Sequence, residues 1–187
     1  RLLLTTRHRP AALADASPVE WLLLGPLPPA EAGLYVRAHD SLRALYFSGG
    51  DEGRAFSTRD GGATWTNVTG NVPGMPEWGT VSMIEPSPHD PAVAYLVVDN
   101  HRMDDPRPHL WKTADHGRTW RSLAAGLPRD VYLHAVREDP KRRGLLFVGT
   151  ERGVSYSPDD GAAWRELRLD LPTVAVHGLV VKGDDLA

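Results

Sequence analysis

The octapeptide "TRDGGATW" at residues 58–65 returns as "TADHGRTW" at 113–120 and as "SPDDGAAW" at 157–164. A hydroxyl residue, an aspartate, a glycine and a closing tryptophan keep their spacing in the three copies. A short Asp side chain accepts hydrogen bonds from backbone N–H groups across its own turn, Gly supplies a positive φ, and the Thr or Ser hydroxyl caps the neighbouring backbone. The tryptophan brings a ring to bury between strands. Nothing in that chemistry requires a substrate, so the turns speak first about architecture.

Working outward, each turn sits in a wider block that also repeats. Trp65 and Trp120 are 55 residues apart and Trp120 and Trp164 are 44 apart, which suits one four-stranded unit per repeat with an insertion in the middle one. "RALYFSGGDEG" at 43–53 aligns with "RGLLFVGTERG" at 143–153. "VSMIEPSP" at 81–88, "LHAVREDP" at 133–140 and "VHGLVVKG" at 176–183 form a third recurring element, a short apolar strand. In the middle copy the strands are expected at 80–85, 92–98, 109–113 and 119–123, with proline and glycine at the joins. No segment sustains a 3.6-residue apolar period, so the chain reads as all-β.

Bulk properties narrow the function classes. With 187 residues and 41% hydrophobic residues, the chain can build a buried core. A net charge of −3 with interleaved signs offers no basic face, which argues against nucleic acid as a partner. The absence of cysteine removes disulfides, thiolate zinc sites and cysteine nucleophiles. The longest apolar runs, such as "WLLLG" at 21–25, are too short to span a bilayer as a helix. Residues 1–32 match no repeat position and read as an irregular lead-in or a degenerate blade. At the other end, the strand at 176–182 reads as the start of a further unit.

The three turns resemble the Asp-box, or bacterial neuraminidase repeat. Thr58, Asp60, Gly62 and Trp65 carry the likeness in the first copy, with Thr113, Asp115, Gly117 and Trp120 in the second. Ser157, Asp159, Gly161 and Trp164 follow in the third, where Ala163 replaces the box threonine. From about residue 43 the chain also resembles the sortilin-like, glycosyl-hydrolase-like bacterial propeller proteins, through "WGTVSMIEPSPHDP", "DNHRMDD", "VREDPKRRGLLFVGTERGV" and "LDLPTVAVHGLVV". The resemblance implies an antiparallel β-propeller fragment of about three four-stranded blades. Their expected limits are 33–70, 71–125 and 126–170, with the start of another blade at 171–187. Such an open array is expected to associate or fold poorly in isolation. Exported propellers are common in the resembling families, so the resemblance points to a secreted or periplasmic location.

In a blade of this kind the box joins the third and fourth strands, so ligands are expected on the opposite face, in loops from several blades. That face would hold 70–79, 99–109, 125–134 and 149–153. The richest stretch, "DNHRMDDPRPH" at 99–109, reads either as a solvated loop held by its own ion pairs or as a contact surface. Ligand-binding candidates are Trp78, His101, Arg102, Arg107, His109, His134 and Arg152. Trp78, just before an inner strand, reads as packing or as a ring for stacking on a sugar. His134 and His177 occupy one place in two inner strands, with Ser82 in the third copy, and read as polar residues lining a wet channel.

A glycosidase needs two carboxyl groups facing across the scissile bond, and Asp104 or Asp105 with Glu151 are the catalytic candidates. A sialidase fits less well: the arginine set Arg102, Arg107, Arg137 and Arg152 does not stand out among 21 basic residues, and no Phe-Arg-Ile-Pro segment accompanies the boxes. The acidic loop lacks the calcium pattern, and His101 with His109 is not a zinc spacing, so no metal and no cofactor is expected. The leading expectation is a non-catalytic scaffold or binding module of a larger propeller, with a peptide, glycan or protein ligand on the face opposite the boxes. The alternative is a fragment of a glycoside hydrolase.

Overall fold

The run "AYLVV" at 94–98 shows how the molecule is layered. A strand with one wet face alternates apolar and polar residues, whereas this one is apolar at every step, as a strand covered on both faces requires. In the computed structural model, which describes residues 34–37, 46–49, 53–59, 64–168, 173–182 and 185–187, Ala94, Leu96 and Val98 pack on one side with Val68, Val72, Val81 and Trp111. Tyr95 and Val97 pack on the other with Leu123, Leu133, Val136 and Val148. The lead-in at 1–32, and Asp60 and Gly62 of the first turn, lie outside the described residues.

The first sheet contains β1 (Leu34–Arg37), β2 (Tyr46–Gly49), β3 (Phe56–Thr58) and β4 (Thr66–Asn67). The second contains β5 (Thr80–Pro86), β6 (Ala94–Asp99), β7 (His109–Thr113) and β8 (Arg121–Ser122). The third contains β9 (Leu133–Glu138), β10 (Leu146–Thr150), β11 (Gly153–Ser157) and β12 (Arg165–Glu166). Each is an antiparallel meander in chain order. A hairpin of β13 (Val181–Lys182) and β14 (Asp185–Leu186) follows. The chain is all-β, and its sheets stack face to face as the blades of part of a β-propeller.

The strands of the middle copy lie within two residues of their expected places at both ends. The strand expected at 176–182 contracts to Val181–Lys182, because a ladder needs a partner and β14 offers only two residues. Single ties hold the preceding segment: the Val176 N–H donates to the Thr150 carbonyl at 2.8 Å, and Arg137 Nε donates to the Leu179 carbonyl at 2.7 Å.

The aspartate turns are closed by their own atoms. Thr113 Oγ1 donates to Asp115 at 2.9 Å and accepts the Gly117 N–H at 2.9 Å. The Thr119 N–H and hydroxyl donate to the two Asp115 oxygens at 2.8 and 2.7 Å. In the third sheet Ser157 donates to Asp159 at 2.7 Å, and the N–H groups of Gly161 and Ala163 complete the same pattern. Burial pulls the Asp115 carboxyl upward, but the Thr119, Thr113 and Arg118 hydrogen bonds outweigh it and hold the group below the usual carboxylate range.

Each turn also leans on the preceding sheet. Gly117 and Gly161 have φ of 82° and 81°, and a Cβ on them would press on the side chains of Val68 at 3.2 Å and Leu123 at 2.9 Å. Only glycine meets both demands. Asp160, directly after the box aspartate, reaches across to the second sheet. It accepts Lys112 Nζ on both oxygens at 2.6 Å, Arg121 Nη2 at 2.7 Å and the Tyr95 hydroxyl at 3.3 Å.

Candidate functional site

An antiparallel meander sends the β3–β4, β7–β8 and β11–β12 turns to one face. The β6–β7 and β10–β11 loops and the connections between sheets go to the other. Two irregularities shape the inner strands beneath that second face. In β5, Val81 pairs Val98 and Met83 pairs Val97, leaving Ser82 as the extra residue. In β9, Leu133 pairs Thr150 and Ala135 pairs Gly149, leaving His134 extra. A bulge breaks strict alternation and re-aims the side chain it carries.

His134 is thereby part of a continuous row of rings. At the end of β6 the Asp99 carboxylate lies 2.6 Å from His101 Nδ1 and accepts the His101 backbone N–H at 3.0 Å. The His101 ring stacks on Tyr132 with centroids 4.3 Å apart and planes at 17°. Tyr132 meets His134 edge-on at 5.1 Å, and His134 lies 4.0 Å from His177. The row thus draws on the β6–β7 loop, the connection into β9, the β9 bulge and the segment before β13.

Electrostatics keep this row neutral at its centre. Burial, then the neighbouring His177, pushes the His134 imidazole below its ordinary value. Its Nε2 is buried without a hydrogen-bond partner. Burial and the Glu151 and Asp99 charges raise the Tyr132 phenol, which hydrogen-bonds Glu151. Arg152 sits at the rim, 3.0 Å from Asp130 and 3.5 Å from Glu151. His101, His134, Glu151 and Arg152 therefore come together around Tyr132.

The other loop candidates form a separate knot. Arg107 donates to both Asp105 oxygens at 2.6 and 2.9 Å, His109 lies 2.9 Å from Oδ2, and Asn100 donates at 3.4 Å. Arg107 first, with His109 and Asn100 adding to it against the opposing effect of burial, holds Asp105 well below the usual carboxylate range. His109 is buried, stacked on Trp111 at 5.8 Å. Arg102 and Asp104 are exposed, Asp104 with a left-handed φ of 58°. Among the described residues no group of three His, Asp or Glu side chains is arranged to hold a metal ion.

Trp78 is 68% exposed with φ of 64°. The packing reading fails for this residue, because its ring covers no core and its backbone occupies a region that bulky residues avoid. Sequence reasoning missed Tyr132 and Asp130. The available signal was the Tyr132–His134 spacing, which places both side chains on one side of an extended segment.

Three stacked four-stranded antiparallel units define the class, a partial β-propeller. The sequence matches no protein-family profile and no curated protein, but solved propellers share the fold. A GH74 xyloglucanase from Xanthomonas campestris superposes with a TM-score of 0.54 and 19% identity, over 73% of this chain and 21% of that one. An ancestral GH74 enzyme gives 0.52 and 15%, over 72% and 18%. YCF48 bound to D1 peptide gives 0.50 and 16%, over 80% and 45%. The chain spans about a fifth of the xyloglucanase's length. Identities this low speak for the fold alone.

Proposed function

We propose that this chain is a non-catalytic binding module, contributing blades of the Asp-box, sortilin-like kind to a larger propeller. A peptide, glycan or protein ligand binds on the face opposite the aspartate turns. The observation that carries this reading is the His101–Tyr132–His134–His177 row, built from three separate segments on that face and holding at its centre the unpartnered His134 Nε2. Stacked rings carrying imidazole and phenol donors and acceptors suit recognition of a planar or polar group. YCF48 binds the D1 peptide, and that binding by a propeller of similar fold is in keeping with a peptide ligand here.

The hydrolase alternative has less behind it. A general acid must hold a proton near neutral pH, whereas Asp105 is kept ionised by Arg107 and its neighbours. Glu151 lies beside Arg152 and Tyr132 rather than in an apolar pocket. Peptide and glycan arrays probed with the wild-type chain and a Trp78→Ala, His101→Ala, Tyr132→Ala variant test the reading. Ligands bound by the wild type should be lost by the variant. Equal capture would refute the site, and reducing ends released from xyloglucan in a manner dependent on Asp104, Asp105 or Glu151 would restore the hydrolase.

A further inference from the structure

The two junctions between the four-stranded sheets differ most at one position. Between the first and second sheets, Trp111 fills the space beneath the connection into β5. It is 3% exposed among Val68, Val72 and Trp120, and its indole N–H donates to the Pro73 carbonyl at 3.0 Å. The registers fix the matching position in the third sheet: Trp111 pairs Leu96 and Ser122, and Ser155 pairs Val148 and Glu166. Ser155 therefore stands where the indole would be.

The surroundings of the missing ring are kept. Leu127-Pro128 takes the place of Val72-Pro73 in the connection, and Trp164 takes that of Trp120. With a serine at 155, a cleft of about 250 Å³ opens between that connection and β11–β12. Leu127, Val131, Val154 and Trp164 supply its apolar lining, and the charged Arg152 and Glu166 border it as well. A cavity of roughly 150 Å³ takes up benzene, so in volume this open cleft has room for a bicyclic ring. The Trp164 N–H is already engaged by the Leu123 carbonyl at 2.8 Å, which leaves the Trp164 ring as a wall rather than a donor.

We propose that the Ser155 cleft binds an indole, the tryptophan side chain of a partner peptide, in the place and orientation that Trp111 takes at the other junction. The indole N–H points to the Pro128 carbonyl, the counterpart of Pro73. Leu127, Val131 and Val154 cover the ring faces. Arg152 borders both this cleft and the His101–Tyr132–His134–His177 row, but none of the row's rings lines the cleft, so binding here does not depend on them.

The test is titration of the full chain with N-acetyl-tryptophanamide, followed by methyl NMR of Leu127, Val131 and Val154. Saturable shifts confined to these methyls are expected. N-acetyl-leucinamide should bind at least tenfold more weakly, and the 1-methylindole analogue, which cannot donate to Pro128, about five- to tenfold more weakly. Ser155→Trp should abolish the shifts and raise the melting temperature by filling the cleft. Should S155W not fold, S155F is scored for loss of binding in the same way, and the N-methyl comparison stands on the wild type alone. The variant lacking Trp78, His101 and Tyr132 should bind the probe normally, so this site and the ligand row fail or survive separately. No saturable shift, equal binding of leucine and tryptophan probes, or binding unaffected by filling position 155 would each overturn the proposal.

Discussion

The two faces of this stack differ in what they engage and what they expose. On the aspartate-turn face the aspartates are closed by neighbours: Asp115 and Asp159 serve their own turns, and Asp160 joins Lys112, Arg121 and Tyr95 across a junction, while His116 Nδ1 and Glu138 Oε2 are buried without a partner. On the loop face, Trp78 stands exposed in a strained conformation and His134 Nε2 has no partner. A face whose aspartates are engaged in turns and in a junction stabilises the stack, and a face that presents an exposed ring beside a row of stacked ones has capacity for a ligand. Substitutions on the first should therefore lower stability, and substitutions on the second should lower binding.

The hardest test of the first half is Trp120→Ala. The ring is 7% exposed in the core between the first two sheets and its N–H donates to the Gly117 carbonyl at 3.2 Å. Its loss should cost about 3–5 kcal/mol in denaturant unfolding. Asp160→Ala comes next, because it strands Lys112 Nζ, whose side chain is 13% exposed. About 2–3 kcal/mol should be lost, less than for a fully buried pair because the Arg121 side of the cluster is wet. A change below about 0.5 kcal/mol in either variant, the range of an ordinary surface substitution, would break the contrast between the faces.

Glu85 gives the same face a pH signature. Burial, opposed by its Arg137 partner, raises this carboxyl from 4.5 to about 7. A raised carboxyl binds its proton more tightly in the folded state, so stability rises as pH falls from about 7 toward 4.5. Below that window Asp105 and Asp115, both held under their ordinary values, take up protons and stability falls again. The lowered His134 imidazole acts in the opposite direction below 6.5, so the Glu85 limb is read as the difference between wild type and Glu85→Gln: urea midpoints of the wild type should gain on those of the variant as pH falls from about 7 toward 4.5. An unaltered limb in that variant would assign the slope to another group. Asp115→Ala is milder, about 1–2 kcal/mol for the lost turn hydrogen bonds.

Much of the first face was legible in the sequence, because a turn closed by its own residues writes its rule locally. The spacing of Thr113, Asp115, Gly117 and Trp120 carries the hydrogen-bond pattern almost entirely. Asp160 was not legible, since its partners lie 39 to 65 residues away and nothing local distinguishes it from a solvated turn residue. On the second face, alignment put Ser82, His134 and His177 at one repeat position, but the bulges at Ser82 and His134 emerge only from cross-strand register. The Ser155 cleft is harder still to read. It is an absence, visible once Trp111 and Ser155 are known to hold equivalent places.

The smallest expected effect tests the second half most directly. Trp78 carries a φ of 64° without Cβ-free backbone to relieve it, so Trp78→Gly removes strain while adding chain entropy to the unfolded state. These terms nearly cancel, and stability should change by less than about 1 kcal/mol, with a gain the favoured direction. Ligand capture should fall in the same variant, and Trp78→Phe, which keeps an aromatic ring on the strained backbone, should retain part of it. If Trp78→Gly instead costs more than about 2 kcal/mol, comparable with a core truncation, the ring belongs to the stabilising half of the molecule and the division between the faces fails at its most exposed residue.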